Sequence, residues 1–354
     1  MYSESDLTAA VASGAISAHA AQALRDHVAG VRVSPSADEE HFRLITGFND
    51  IFVSIAAVIL LLAMAWIGES IHSALAGLFV AASAWGLAEF FTRQRRMALP
   101  SILLLLAFVG GVFATFAGLL VEHGEQWLGT SPDERVLAVI GGGIALSAAA
   151  AAWVHWRRFM VPITVAAGTA ALVGTAVALI VAAIGPDNFS KEAVLAMVLV
   201  AGIGVFALAM NWDRSDTPRL TRRSDVAFWL HLLAAPMIAH PLFSLLGVTE
   251  NGVIGVGAAV GVVALYLVFG LVALAIDRRA LLVSALAYVL FAMTQLFREF
   301  GAVELNVALT ALVIGSGLLM LSAFWQSARG LVLGVLPHGV RSLVPASGTV
   351  AISA

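Results

Sequence analysis

The sequence predicts an all-α, polytopic bundle of transmembrane helices, and three observations carry that reading. Hydrophobic residues make up 60% of the 354 positions and charged residues only 12%, against roughly a quarter charged in a soluble domain. Apolar runs of about 20 residues, the length a bilayer core demands, recur along most of the chain. Arginine concentrates in alternate turns between those runs, as topology in a membrane requires. Helices follow rather than strands, because an open strand edge in lipid would leave backbone groups unpaired.

The N-terminal region, 1–42, reads as a small cytoplasmic helical hairpin and linker. Ser3 or Ser5 caps a first helix with Leu7, Ala10 and Val11 on one side,. Gly14 suits a left-handed stop, and Ser17 caps a second helix carrying Ala20, Leu24 and Val28 before Gly30,. Two such helices bury too little apolar area to stand alone. They are expected to dock on the membrane domain, on a second copy in a homo-oligomer, or on a protein partner. Pro35 and the acidic cluster at 38–40 mark residues 31–42 as linker,.

The membrane domain spans 43–325, with ten predicted crossings at 50–68, 71–91, 98–121, 136–156, 159–184, 193–212, 226–247, 252–276, 280–297 and 305–325,. The opening 49 residues are polar and mixed, so the first crossing is expected to act as an uncleaved anchor,. The tail, 326–354, is too interrupted to span; it reads as cytoplasmic or interfacial, with Arg341 toward the headgroups,.

Orientation follows from guanidinium groups. Arg93, Arg95 and Arg96 follow the second crossing, Arg157 and Arg158 the fourth, Arg214, Arg219, Arg222 and Arg223 the sixth, and Arg278 and Arg279 the eighth. The intervening turns hold only Arg135, Lys191 and Arg298 among many acids, including Glu122, Asp133, Glu250 and Glu304. Positive turns stay inside. The expected location is therefore a bacterial inner membrane with both termini cytoplasmic. Most of the 8 tryptophans, Trp325 among them, fall near predicted span ends and read as an interfacial belt,. An echo between NDIF at 49–52 and SDVAF at 224–228, each followed one crossing later by an arginine pair, points to parallel repeats over 50–156 and 225–325,.

Several function classes are excluded as expectations. The chain has no cysteine, so thiolate nucleophiles and cysteine metal sites are ruled out. No phosphate loop or H-E-x-x-H occurs, and the histidines show no metal spacing,. Ser316 lies in IGSG, where Ile314 stands in place of the glycine of an intramembrane G-x-S-G protease. A net charge of −3 gives no footprint for nucleic acid,. No enzyme activity, cofactor, catalytic group or metal is expected.

The main intramembrane chemistry falls in the seventh crossing. Pro236 and Pro241 free the carbonyls of Leu232 and Met237,, and imidazole N–H groups of His231 and His240 could satisfy them. The two histidines are about 13 Å apart along a straight helix and on opposite faces. They could face successive points of a polar path for a small solute or proton, or be packed between helices as structural groups. Asp50 and Asp225 open their spans as helix caps or as a coupled gate,. Glu89, four residues before Arg93, is either a helix-supporting pair or an interior proton site,. Small residues, including the G-x-x-x-G of Gly257 and Gly261, predict close helix approach,.

Leu7-x-x-Ala10-Val11-x-x-Gly14-x-Ile16-Ser17, followed by FRLITGFNDIF, resembles a family of uncharacterised bacterial multi-span inner-membrane proteins. These pair a Gly-x-Ile-Ser hairpin with a multi-span domain of unknown function. The resemblance covers roughly the first 55 residues plus the general layout, and implies no activity. Two functional readings remain open: secondary transport of a small solute past His231 and His240, or a membrane scaffold or sensor that recruits a partner through its hairpin.

Overall fold

A computed structural model describes residues 4–24, 48–216, 219, 221–248, 255–300, 305–341 and 344. Those residues contain helices and turns and no strand. In the hairpin, α1 (Glu4–Ala12) ends before Gly14, which takes the left-handed φ of 72° that its lack of a Cβ permits,. Helical turns α2 (18–24) then start where Ser17 Oγ accepts the Ala20 amide at 3.0 Å,. The linker, residues 31–42, lies outside the described residues.

Among the described residues ten helices are long and apolar enough to cross a membrane. They are α3 (Phe48–Glu69), α4 (Ser73–Ala88, continued by a π-helical turn Glu89–Gln94), α5 (Ala98–Leu128), α6 (Glu134–Phe159), α7 (Ile163–Ile184), α8 (Lys191–Arg214), α9 (Arg222–Leu245), α10 (Val256–Ile276), α11 (Ala280–Glu299) and α12 (Asn306–Ala323). Each matches one predicted crossing. The chief boundary difference is α5, which continues past the apolar run through VEHGEQWL. Nothing in that segment breaks a helix until Gly129, at φ 82°,.

The closest helix seam is between α4 and α5. Ala74, Gly77, Ala81, Ala84 and Ala88 recur at alternating spacings of three and four and are all buried,. A Cβ on Gly77 would stand 2.3 Å from the Thr115 backbone nitrogen and 2.5 Å from the Gly111 carbonyl oxygen. The backbones therefore meet directly, which only small residues allow. The predicted Gly257–Gly261 motif does not behave this way. Gly257 faces open space and Gly261 meets only the Leu246 side chain, so spacing alone did not identify the seam.

Elsewhere α6 packs on α7, α8 on α9, and α10 on α11. The largest apolar cluster joins Phe243 of α9, Val262 and Phe269 of α10, and Leu282 and Val289 of α11. After α12 the chain breaks at Phe324 and forms α13 (Trp325–Val335), which docks on α10, followed by the short α14 (His338–Arg341). Trp325 is thus a correction: it is buried within the protein rather than facing an interface.

Candidate functional site

The last turn of α8 carries Asp213, at the end of the helix where the backbone dipole disfavours an anion,. It is nevertheless 2% exposed. A buried carboxylate needs full compensation, and two neighbours supply it. Arg278 Nη2 donates to Asp213 Oδ1 at 2.6 Å, and Arg278 Nε donates to Oδ2 at 3.3 Å. His231 of α9 places Nε2 3.0 Å from the same Oδ2. Arg278 also donates to the Ser224 carbonyl at 3.2 Å, tying the start of α9 to the turn between α10 and α11. His231 and Arg278 are each 3% exposed.

With a neutral imidazole the charges within this network balance. An ionised Asp213 accepts only, so the His231 proton in the bond belongs on Nε2. A neutral ring then leaves Nδ1 as a lone-pair acceptor, and that atom has no hydrogen-bond partner among the described residues. With Arg278 positive and Asp213 negative, the group sums to zero. Phe206 sits edge-on to the imidazole, ring centres 5.2 Å apart, and closes it off from the α8 side.

A second network is continuous with the first through the adjacent residue. Asp277 takes a left-handed φ of 58°, a conformation Asp tolerates better than most side chains. Its Oδ2 accepts from Arg219 Nη1 at 2.8 Å and its Oδ1 from Trp325 Nε1 at 2.8 Å. Arg329 of α13, fully buried, donates to the Leu274 carbonyl at 3.2 Å and lies 3.8 Å from Asp277 Oδ1. The Arg279 guanidinium covers the Trp325 ring at 4.6 Å. Together the two networks link α8, α9, the α10–α11 turn and α13 at one end of the bundle.

The sequence-predicted residues distribute around this centre. His231 is part of it. Asp225 lies in the electrostatic field of Arg278 and Arg222, in the first turn of α9. The cap of that helix is Thr221, whose Oγ1 accepts the Arg223 amide at 3.3 Å, and not Asp225. His240 is exposed on another face of α9 and pairs through Nδ1 with Tyr288 Oη at 2.7 Å. Neither imidazole hydrogen bond goes to a proline-freed carbonyl.

Glu89 takes a fork from Arg158 (Nε to Oε1, 2.7 Å; Nη2 to Oε2, 2.9 Å) and a further bond from Arg93 at 3.2 Å. Asp50, near the start of α3, is buried, and its carbonyl accepts Ser54 Oγ at 2.6 Å. No hydrogen bond among the described residues joins any two of these five.

Asp213, Arg278, Asp277, Arg219 and Arg329 were not singled out from sequence as site residues. Their signal was present as acids set among arginines, in NWDRSD at 211–216 and IDRR at 276–279. His155 is a further residue that the sequence pattern alone does not mark. It is fully buried among Trp85, Phe108 and Phe159, with Thr164 Oγ1 3.4 Å from Nδ1. Toward the other ends of α4 and α5, His72 and His123 approach through Nε2 atoms at 3.2 Å, and Ser73 Oγ donates to Glu122 at 2.6 Å. No group of three or more metal-ligating side chains gathers among the described residues.

No family model, curated protein or solved structure matches the chain.

Proposed function

We propose that this multi-pass membrane protein is a secondary transporter of a small solute in a bacterial inner membrane, and that Asp213, His231 and Arg278 close its cytoplasmic side. One observation carries the reading. Three ionisable side chains from α8, α9 and the α10–α11 turn are joined inside the bundle and almost wholly withdrawn from solvent. A seam built only for stability is held as well or better by apolar residues. An ionic seam differs in having two states, closed when paired and open when Asp213 exchanges its partners for a proton, a cation or water. His231, with an accepting Nδ1 on its far side, is the group through which a proton could reach the pair. His240, farther along α9 on a different face, and its partner Tyr288 on α11 belong under this reading to the route beyond the closure.

The arginine-rich turns support a cytoplasmic position for this end. Under this reading the closure is the inner gate, with both termini on the same side.

Purified protein in liposomes loaded with a pH-sensitive dye tests the reading. Under an imposed membrane potential, wild type is expected to give flux stimulated by one member of a panel of small solutes. Asp213→Asn is expected to uncouple that flux or abolish it. Wild type without flux for any solute, or flux identical in the variant, would contradict transport through this gate and favour the scaffold reading. The hairpin supports that second reading to one extent: of its described side chains only Ala21 is buried, leaving a helical surface for a protein partner.

A further inference from the structure

Where α4, α5, α6 and α9 meet at the arginine-rich end there is a cavity of about 410 Å³. Its polar wall is formed by Arg93, Arg96, Arg158 and Arg222, with Thr92 and Ser101 between them. No carboxylate lines it. Glu89, which pairs with Arg158 and Arg93, stands outside the lining. Arg96 and Arg222 make no hydrogen bond or ion pair among the described residues; Arg222 interacts electrostatically with Asp225, which stands outside the lining.

Two further features point to a ligand. Thr92 is nine-tenths buried, lines the cavity, and its hydroxyl has no hydrogen-bond partner among the described residues. It sits in the π-helical turn Glu89–Gln94, a distortion that commonly marks functional positions. The cavity also contains the start of α5, where Met97 gives no side-chain cap. The amides of Ala98 and Leu99 are therefore left to partners outside the helix, at the positive end of its dipole. The rest of the lining is largely apolar, with Ile102, Val161 and Trp229.

From this arrangement we infer that the cavity binds a phosphate group. Guanidinium forks match phosphate oxygens in pairs, and basic pockets between transmembrane helices on the cytoplasmic side suit anionic headgroups. The phosphate can be carried by a phospholipid, whose chains would run along the apolar wall, or by a small soluble phosphate ester. The site is independent of the gate. It uses none of Asp213, His231 or Arg278.

The test uses the full chain in nanodiscs of phosphatidylcholine alone, and of phosphatidylcholine with phosphatidic acid. Native mass spectrometry reads retained lipid, and thermal unfolding reads titration with inorganic phosphate or glycerol 3-phosphate. Wild type is expected to bind one of the two sources. Retention of phosphatidic acid assigns the lipid; stabilisation by glycerol 3-phosphate in the neutral nanodisc assigns the soluble ester.

The double variant Arg96→Gln/Arg222→Gln is expected to weaken that binding by roughly tenfold per fork removed, and Arg96→Lys/Arg222→Lys to restore it only in part. Asp213→Asn should leave it unchanged, which separates this result from the transport reading. No binding of either source by wild type, equal binding by the glutamine variant, or full restoration by lysine would overturn the proposal.

Discussion

The two ends of the chain use the same ionic groups in opposite ways. In the α3–α6 region, Arg158 and Glu89 form a geometrically good fork, yet their side chains are 41% and 31% exposed. In the α8–α11 region, Arg278 and Asp213 form a similar fork at 3% and 1% exposure, with His231 at 2% completing it. An exposed pair is screened and exchanges readily with water or a ligand. A buried pair has no such substitute. Removing one partner strands the other in a low-dielectric interior. At this end of the bundle the first region leaves its ion pair open to solvent, while the second confines its charged groups to one another.

The largest expected effect attacks the buried side. Asp213→Ala should destabilise the protein by roughly 3–5 kcal/mol, because Arg278 is left buried without its anion. Glu89→Gln, the matched change on the exposed side, should leave the thermal midpoint at the wild-type value. Parallel thermal unfolding in one detergent checks both, and equal losses would erase the distinction.

Next in size is Trp325→Phe, which keeps the ring but removes the hydrogen bond to Asp277. A bond to a charged group is worth about 1.5–3 kcal/mol. Proteolysis should then reach α13 earlier than in wild type, provided that helix is held by the second network. A similar loss, about 1–3 kcal/mol, is expected for Gly77→Ala, where the added methyl meets the α5 backbone,. Gly257→Ala, which faces open space, should be neutral or slightly stabilising,. Smallest is Tyr288→Phe, which removes the hydroxyl that the half-buried Tyr288 offers to the exposed His240 and should cost no more than about 1 kcal/mol,. A larger loss would show that this pair belongs with the buried set.

The ten crossings were legible because length and hydropathy are properties of contiguous sequence, and a bilayer imposes both. His231 was legible for the same reason, as a polar residue in an apolar run. Its partner was not. Asp213 and Arg278 lie 65 positions apart, and each reads locally as a charge at a solvated helix end. Counting arginines by turn locates them relative to the membrane and says nothing about which carboxylate a neighbouring helix brings to them. The small-residue seam failed for a related reason. Gly257 and Gly261 have the motif spacing, whereas the contact that forms alternates glycine with alanine along α4. Trp325 shows the same limit: aromatic residues near span ends are usually interfacial, and only the break at Phe324 turns this one inward.

Under the proposed function, the Asp213–His231–Arg278 network seals the arginine-rich side of the bundle. Because the chain contains no cysteine, one introduced at Ala234, fully buried one helical turn beyond His231, gives a signal without background. In inside-out vesicles a membrane-impermeant maleimide should modify Ala234→Cys slowly in the otherwise wild-type protein. It should do so much faster when Asp213→Asn is added, with the protein still folded and monodisperse. Equal, slow modification in both would contradict the seal.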